Sequence, residues 1–227
     1  MKKINITVNG PIGAGKTTLI HELETRLRSI SKSVVVQPEP SVTIPFINDV
    51  LKKFYTDNKK WSYSLQLCIS AAQEAYMETL NESKYEYALF DAAYSSDIYG
   101  YSHCAHGRMT LDDFHALLNV GRPFKFDYLI WINANKDELI QHVKSRNSKI
   151  TTGFIEEEKK DVPIEDFSYL DSHLKDFTEY KPIYFNRFKQ GNKDVKIIEL
   201  SNLPKLGTPE YTKLMDFLFN EITAKKV

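Results

Sequence analysis

Residues 10 to 17, Gly-Pro-Ile-Gly-Ala-Gly-Lys-Thr, carry the spacing G-x-x-x-x-G-K-[ST]. That spacing does one kind of chemistry well. Glycines let successive backbone N–H groups turn inward around a phosphate, and the N-terminus of a following helix adds its dipole. Lys16 then reaches the terminal phosphates, and the Thr17 hydroxyl takes a Mg²⁺ position. Gly10, Ile12, Gly13, Ala14, Gly15, Lys16, Thr17 and Thr18 are therefore the candidate contacts to ATP. Two carboxylates follow. Glu39 stands between Pro38 and Pro40, which stop a preceding apolar run and hold it extended; there it can accept a proton from an attacking hydroxyl. Asp91 ends the run Tyr87-Ala88-Leu89-Phe90, where P-loop enzymes place a second carboxylate for Mg²⁺ or its waters. Gln66 and Gln73, seven apart on one helix face, and Asp97 near the end of the same strand could read the donor and acceptor edge of a base.

These residues need a scaffold that delivers them to one edge. Five short, mostly apolar runs read as strands: Ile4–Asn9, Ser33–Gln37, Tyr87–Asp91, Tyr128–Asn133 and Val195–Leu200. Helical periodicity falls between them, at about Lys16–Ser29, Ile44–Phe54, Ser62–Asn81, Ser95–His106, Thr110–Asn119, Lys136–Ser145, Tyr169–Phe188 and Glu210–Ile222. The alternation implies an α/β fold: a five-stranded parallel sheet with helices on both faces and ligands at the carboxyl ends of the strands. Residues 1–227 read as one P-loop domain. The strongly polar stretch at about 146–167, with Glu156-Glu157-Glu158-Lys159-Lys160, is expected to form a lid that excludes water from the reaction.

Composition narrows the class. Thirty Lys and Arg balance thirty Asp and Glu over 227 residues, with no long basic run, which argues against a broad nucleic-acid or membrane footprint. Two cysteines, Cys68 and Cys104, fit reduced thiols in a cytoplasmic protein. No apolar run approaches the length of a membrane span, and the start Met-Lys-Lys-Ile leads directly into the first strand, with no room for a targeting leader. His103, Cys104 and His106 resemble metal ligands only superficially, since no second pair at zinc spacing occurs; packing is the expected role. Asn133-Ala134-Asn135, just past the fourth strand, is the expected edge of an adenine pocket.

Several of these segments together resemble the deoxyribonucleoside kinases related to deoxycytidine, deoxyguanosine and mitochondrial thymidine kinases. The likeness covers about residues 3 to 190. It rests on Gly-Pro-Ile-Gly-Ala-Gly-Lys-Thr-Thr, on Pro38-Glu39-Pro40, on Y-x-D-x-x-x-W-x-x-x-x-Q from Tyr55 to Gln66, and on Tyr94-Ser95-Ser96-Asp97. The third motif is the most specific. The resemblance implies transfer of the ATP γ-phosphate to the 5′-hydroxyl of a deoxyribonucleoside, with Mg²⁺, in nucleotide salvage. It implies Glu39 as base for that hydroxyl, Tyr55 on the 3′-hydroxyl and Gln66 on the nucleobase. Asp97 and Gln73 would tune base preference, and Trp61 would wall the pocket. It further suggests a homodimer.

Two departures stand out. The family's Glu-Arg-Ser after the third strand is Asp91-Ala92-Ala93 here, so an arginine near the phosphates is missing. The family's run of lid arginines is reduced to Arg146 and Lys149, ahead of an apparent insertion. Arg146 is the candidate catalytic cation, with Lys144 and Lys149 as substitutes, although a lysine is a point charge without the guanidinium fork. Glu157 or Glu158 could meet the sugar. A nucleoside monophosphate kinase of the thymidylate type shares the phosphate loop and is one alternative. A catalytically degenerate, nucleotide-binding partner subunit is the other.

Overall fold

The computed structural model describes residues 3–31, 33–119, 124–151 and 167–224, with the backbone alone at 146–151 and 167–169. Along the chain these form β1 (Ile4–Asn9), α1 (Lys16–Ile30), β2 (Val34–Gln37), α2 (Pro40–Thr43), α3 (Pro45–Thr56), α4 (Asn58–Glu82), β3 (Tyr87–Asp91), α5 (Ser96–Ala105), α6 (Leu111–Leu118), β4 (Tyr128–Ile132), α7 (Lys136–Thr151), α8 (Phe167–Gly191), β5 (Lys196–Leu200) and α9 (Pro209–Ala224). The five strands are all parallel, in the order β2-β3-β1-β4-β5. All five expected strands occur.

The β-branched and aromatic strands are buried on both faces, and each face has its own core. Ile4, Ile6, Val8, Tyr87, Leu89 and Ile130 pack against α1 and α9 through Leu19, Leu23, Leu27, Met215 and Leu218. The alternate residues Ala88, Phe90, Leu129 and Trp131 meet α4, α5, α6 and α8 through Met77, Ile98, Phe114, Phe177 and Tyr184. Fully burying each such side chain stabilises by roughly 1.5–3 kcal/mol, so the central strands are firmly seated. β5, at an edge, shows the alternating pattern instead, with Lys196 and Glu199 exposed.

Pairing of β1 with β3 sets Val8 beside Asp91, so the phosphate loop and the acidic end of β3 leave the sheet side by side. Some boundaries differ from those expected. Asp57 accepts from Lys60 N (3.1 Å) and caps α4, which starts at Asn58, four residues earlier than Ser62. Pro40 at the first helical position opens the single turn α2, not anticipated from sequence, with Glu39 as its extended N-cap. α7 runs to Thr151 because nothing from Lys144 to Thr151 breaks a helix; the first residues expected to belong to the lid extend it. The remainder of the expected lid, 152–166 with Glu157 and Glu158, lies outside the described residues. No helix among those described is long and apolar enough to cross a membrane.

Candidate active site

The loop between β1 and α1 turns on two glycines with different reasons. A Cβ at Gly10 would meet the Ile132 carbonyl oxygen at 2.6 Å, so only glycine lets this loop lie against the end of β4. Gly15, the N-cap of α1, has φ +86°, a left-handed backbone that L side chains rarely adopt. Lys16 is buried, and its ammonium donates to the carbonyls of Gly10 (3.1 Å) and Pro11 (3.0 Å), folding back over its own loop. Ile12 packs toward Val50, Leu65 and Val143, while Thr18 is exposed. α7 touches the loop through a hydrogen bond between His142 Nδ1 and the Gly13 carbonyl (2.9 Å).

Thr17 Oγ1 donates to Asp91 Oδ2 at 2.6 Å, and Asp91 Oδ1 is buried with no partner among the described residues. Burial pushes the Asp91 carboxyl up to about 6; Glu39 adds to the rise, while Lys16 and the Thr17 hydrogen bond oppose it. A hydroxyl and a carboxylate oxygen in contact, with a further carboxylate oxygen unsatisfied, suit a hard cation. Mg²⁺ keeps most of its waters and needs only one or two protein oxygens, so the residues fit it. Glu39 is half-buried and accepts from Ser41 Oγ at 2.6 Å. Lys16, Thr17, Glu39 and Asp91 thus gather at one edge of the sheet.

The turn after β3 is strained and heavily held. Ala92 (φ 57°) and Tyr94 (φ 56°) are both left-handed without being glycine. Gln73 clamps them: its Nε2 donates to the Ala92 carbonyl (3.0 Å) and its Oε1 accepts from Tyr94 N (3.1 Å). Ala93 N donates to Thr7 Oγ1 (3.1 Å), and the Ala93 carbonyl accepts from Asn9 Nδ2 (3.0 Å) and Tyr184 Oη (3.1 Å). Gln73, expected from sequence to tune base preference, holds the turn after β3 in this structure. Both ends of its amide are committed to the backbone that carries Asp91.

Gln66 and Asp97, expected from sequence to read the base, each meet a side chain on another helix. The Asp97 carboxylate faces Arg187 on α8 (Oδ2 to Nε 3.7 Å), whose Nη2 also donates to the Leu118 carbonyl (3.2 Å). The buried Gln66 amide instead lies against His103, Nε2 to Nε2 3.5 Å. His103 is fully buried and its ring is held neutral, its pKa lowered to about 3 by burial and then by Arg108 and His106. His106 turns elsewhere, to Asp176 Oδ2 (2.9 Å), so the two histidines share no centre. Among the described residues no group of three or more His, Cys, Asp or Glu could hold a metal. Tyr55, its ring centroid 5.4 Å from that of Phe54, and Trp61 pack on the cluster of Ile47, Val50, Phe54 and Leu65. Lys53 and Lys60 stand over the Trp61 ring at 4.9 and 5.5 Å, making it a support for cations at the start of α4.

Asn133 and Ala134, the expected edge of an adenine pocket, line a cavity with Pro11, Phe177 and Lys181, and Asn133 also ties two strands together. Its Oδ1 accepts from Trp131 Nε1 (3.1 Å) and Lys181 Nζ (3.2 Å), and its Nδ2 donates to the Leu200 carbonyl (3.1 Å), bracing β4 against β5. Asn135 Oδ1 accepts from Asp137 N (2.8 Å) at the start of α7.

The family model for deoxynucleoside kinase matches residues 6–202. The chain belongs to the deoxynucleoside kinase family. A deoxyadenosine/deoxycytidine kinase of Bacillus subtilis (strain 168) is 24% identical over 153 residues, which cover 64% of this chain and 66% of that protein, just under two thirds of its length. Two structures of deoxyadenosine kinase from M. mycoides superpose on the fold: one with products dCMP and a flexible dCDP (TM-score 0.71, 17% identity, 97% of this chain and 100% of that one), the other with dATP (TM-score 0.67, 17% identity, 98% and 100%). Family membership sharpens the question of the missing arginine. Arg146 falls on α7, with its side chain outside the described residues. Ala92, at the position of the family arginine, is 4% exposed and left-handed, its backbone fully engaged in the clamp.

Sequence reasoning missed Ser41, Asn9, Tyr184 and the hold of Gln73 on the turn after β3. Ser41 lies two residues from Glu39 but carries no pattern of its own, and the partners Ala93 and Ala92 of the other three lie far off in the chain.

Proposed function

We propose that the chain transfers the γ-phosphoryl of ATP to the 5′-hydroxyl of a deoxyribonucleoside, giving ADP and the 5′-monophosphate. The observation that carries this reading is the convergence of Lys16, Thr17, Asp91 and Glu39 on one sheet edge. Glu39 accepts the hydroxyl proton as the oxygen attacks phosphorus, exchanging the Ser41 hydroxyl it now holds for that of the acceptor. Lys16 leaves the Gly10 and Pro11 carbonyls for the terminal phosphate oxygens and offsets their charge. Thr17 and Asp91 would hold Mg²⁺, which would offset negative charge on the phosphates. Positioning contributes the rest: Gln73 fixes the turn that aims Asp91, and α3 and α4 present Tyr55 and Gln66 to sugar and base.

The B. subtilis deoxyadenosine/deoxycytidine kinase and the M. mycoides deoxyadenosine kinase support deoxyadenosine and deoxycytidine among the acceptors. In this reading residues 1–227 act as one catalytic unit, in the cytoplasm, as a homodimer, with Arg146 or its neighbours supplying the cation that Ala92 does not.

The test is ATP consumption with Mg²⁺ against deoxyadenosine, deoxycytidine, deoxyguanosine, thymidine and thymidine monophosphate, each alone. Turnover with a nucleoside is expected. Turnover with the monophosphate alone would move the acceptor to the next phosphate. ATP binding with silence toward all five would leave a non-catalytic nucleotide-binding subunit.

A further inference from the structure

We propose that His103 contacts the nucleobase directly, acting with Gln66 as a linked pair that offers the base one hydrogen-bond donor and one acceptor. The inference rests on the deoxynucleoside kinase reading above and concerns a residue to which that reading gives no role.

Two buried polar atoms at the junction of α4 and α5 have no partner among the described residues: Gln66 Oε1 and His103 Nδ1. They belong to side chains that are 3% and 0% exposed and that touch each other. Native interiors rarely leave such atoms unpaired, and two on adjacent side chains mark a place where something else completes the hydrogen bonding. The lowered pKa of His103 keeps its imidazole neutral, with one nitrogen carrying a proton and the other a lone pair.

Neutrality makes the pair self-complementary. When Gln66 Nε2 donates to His103 Nε2, the ring proton sits on Nδ1. The unpaired atoms are then an acceptor, Gln66 Oε1, and a donor, His103 Nδ1–H. Turning the amide over lets His103 Nε2–H donate to Gln66 Oε1. The unpaired atoms become a donor, the Gln66 amide, and an acceptor, His103 Nδ1. One donor and one acceptor are presented in both arrangements, with their places exchanged. The first order matches one edge polarity of a base and the second its reverse. An amino base (adenine, cytosine) and a keto base (guanine, thymine) present opposite polarities along the edge bearing the exocyclic group. The 3.5 Å contact is at the long end for a hydrogen bond, so little opposes the exchange. The Phe54 ring, its centroid 5.1 Å from that of the imidazole, gives the apolar flank, and it precedes Tyr55 on the same helix.

Steady-state kinetics with the four deoxynucleosides test this on wild type, His103→Leu and His103→Asn, with thermal melting as a check on folding. The wild type is expected to accept at least one amino and one keto base. His103→Leu is expected to raise the nucleoside KM tenfold or more while the KM for ATP stays within twofold. His103→Asn, which keeps a donor and an acceptor, is expected to restore part of the loss for one base class. Nucleoside KM values within twofold of wild type in His103→Leu would reduce His103 to packing. If that variant does not fold, unchanged KM values for both base classes in His103→Asn overturn the proposal instead. A wild type confined to one base class overturns the exchange. A wild type silent toward every deoxynucleoside overturns the kinase reading itself, an outcome distinct from the others.

Discussion

Thr17 Oγ1 lies 2.6 Å from Asp91 Oδ2, joining the first turn of α1 to the last residue of β3 across 74 positions of sequence. The contact holds a carboxylate that burial would rather keep protonated. Because the folded pKa, about 6, exceeds the ordinary 3.8, the folded protein retains a proton that the unfolded chain releases. Stability therefore falls as pH rises through the window from about 4 to 6, and the penalty persists above it. Asp91→Asn should stabilise the protein by about 2–3 kcal/mol at pH 7 and by nothing below pH 4, while abolishing Mg²⁺-dependent turnover. Urea unfolding of both proteins at pH 4, 5, 6 and 7 measures the difference.

Glu39→Gln removes a proton acceptor and keeps the shape. Affinity for ATP should change less than threefold, whereas turnover should fall about 10²–10⁴-fold, the usual contribution of a positioned general base. Isothermal titration with a non-hydrolysable ATP analogue, beside single-turnover kinetics, separates the two. Near-normal turnover would exclude Glu39 as the base.

Gln73→Leu removes the acceptor of the Tyr94 amide and one of two donors to the Ala92 carbonyl, which keeps its bond from Ser95 N (3.1 Å). A loss of about 1–3 kcal/mol is expected, the cost of one buried group left unpaired. Ala92→Gly should act in the opposite direction, gaining up to about 1 kcal/mol by relieving a left-handed alanine. Denaturant midpoints decide both signs.

His103 and His173 are buried and neutral, the latter stacked on Tyr99 with ring centroids 4.8 Å apart. Their folded pKa values lie below 6.5, so the unfolded chain takes up protons first, and stability is lost as pH falls from 6.5. Each histidine contributes a slope of up to about 1.4 kcal/mol per pH unit, opposite in sign to that of Asp91. His173→Phe should flatten the acid limb by one proton's worth, visible as a smaller drop in melting temperature between pH 7 and 5.

The strands and the phosphate loop were readable because their signals are local. β-branched runs, glycine spacing and a terminal acid fix β1, β3, Lys16, Thr17 and Asp91 within a few residues of sequence. Side-chain direction was not readable. Whether Gln73 reaches a ligand or the backbone at Ala92 and Tyr94 depends on how α4 is rotated against β3, and Asp97 finds Arg187 ninety residues away. The polar stretch after Ser145 reads as loop by composition, yet its lysine, arginine and serine residues are tolerated in a helix, and α7 simply continues.

Gln66 and Gln73 share α4, one beside His103 and the other gripping the turn behind Asp91. A helix rises 1.5 Å per residue, so about 10 Å of stiff backbone separates the two attachments. In the function proposed above, the helix works as a caliper: the distance from base to transferred phosphate is held by a rod, where a loop would let it breathe. An acceptor one phosphate longer must then either slide the whole rod or leave one jaw open, which makes the length of the acceptor a property of α4 itself.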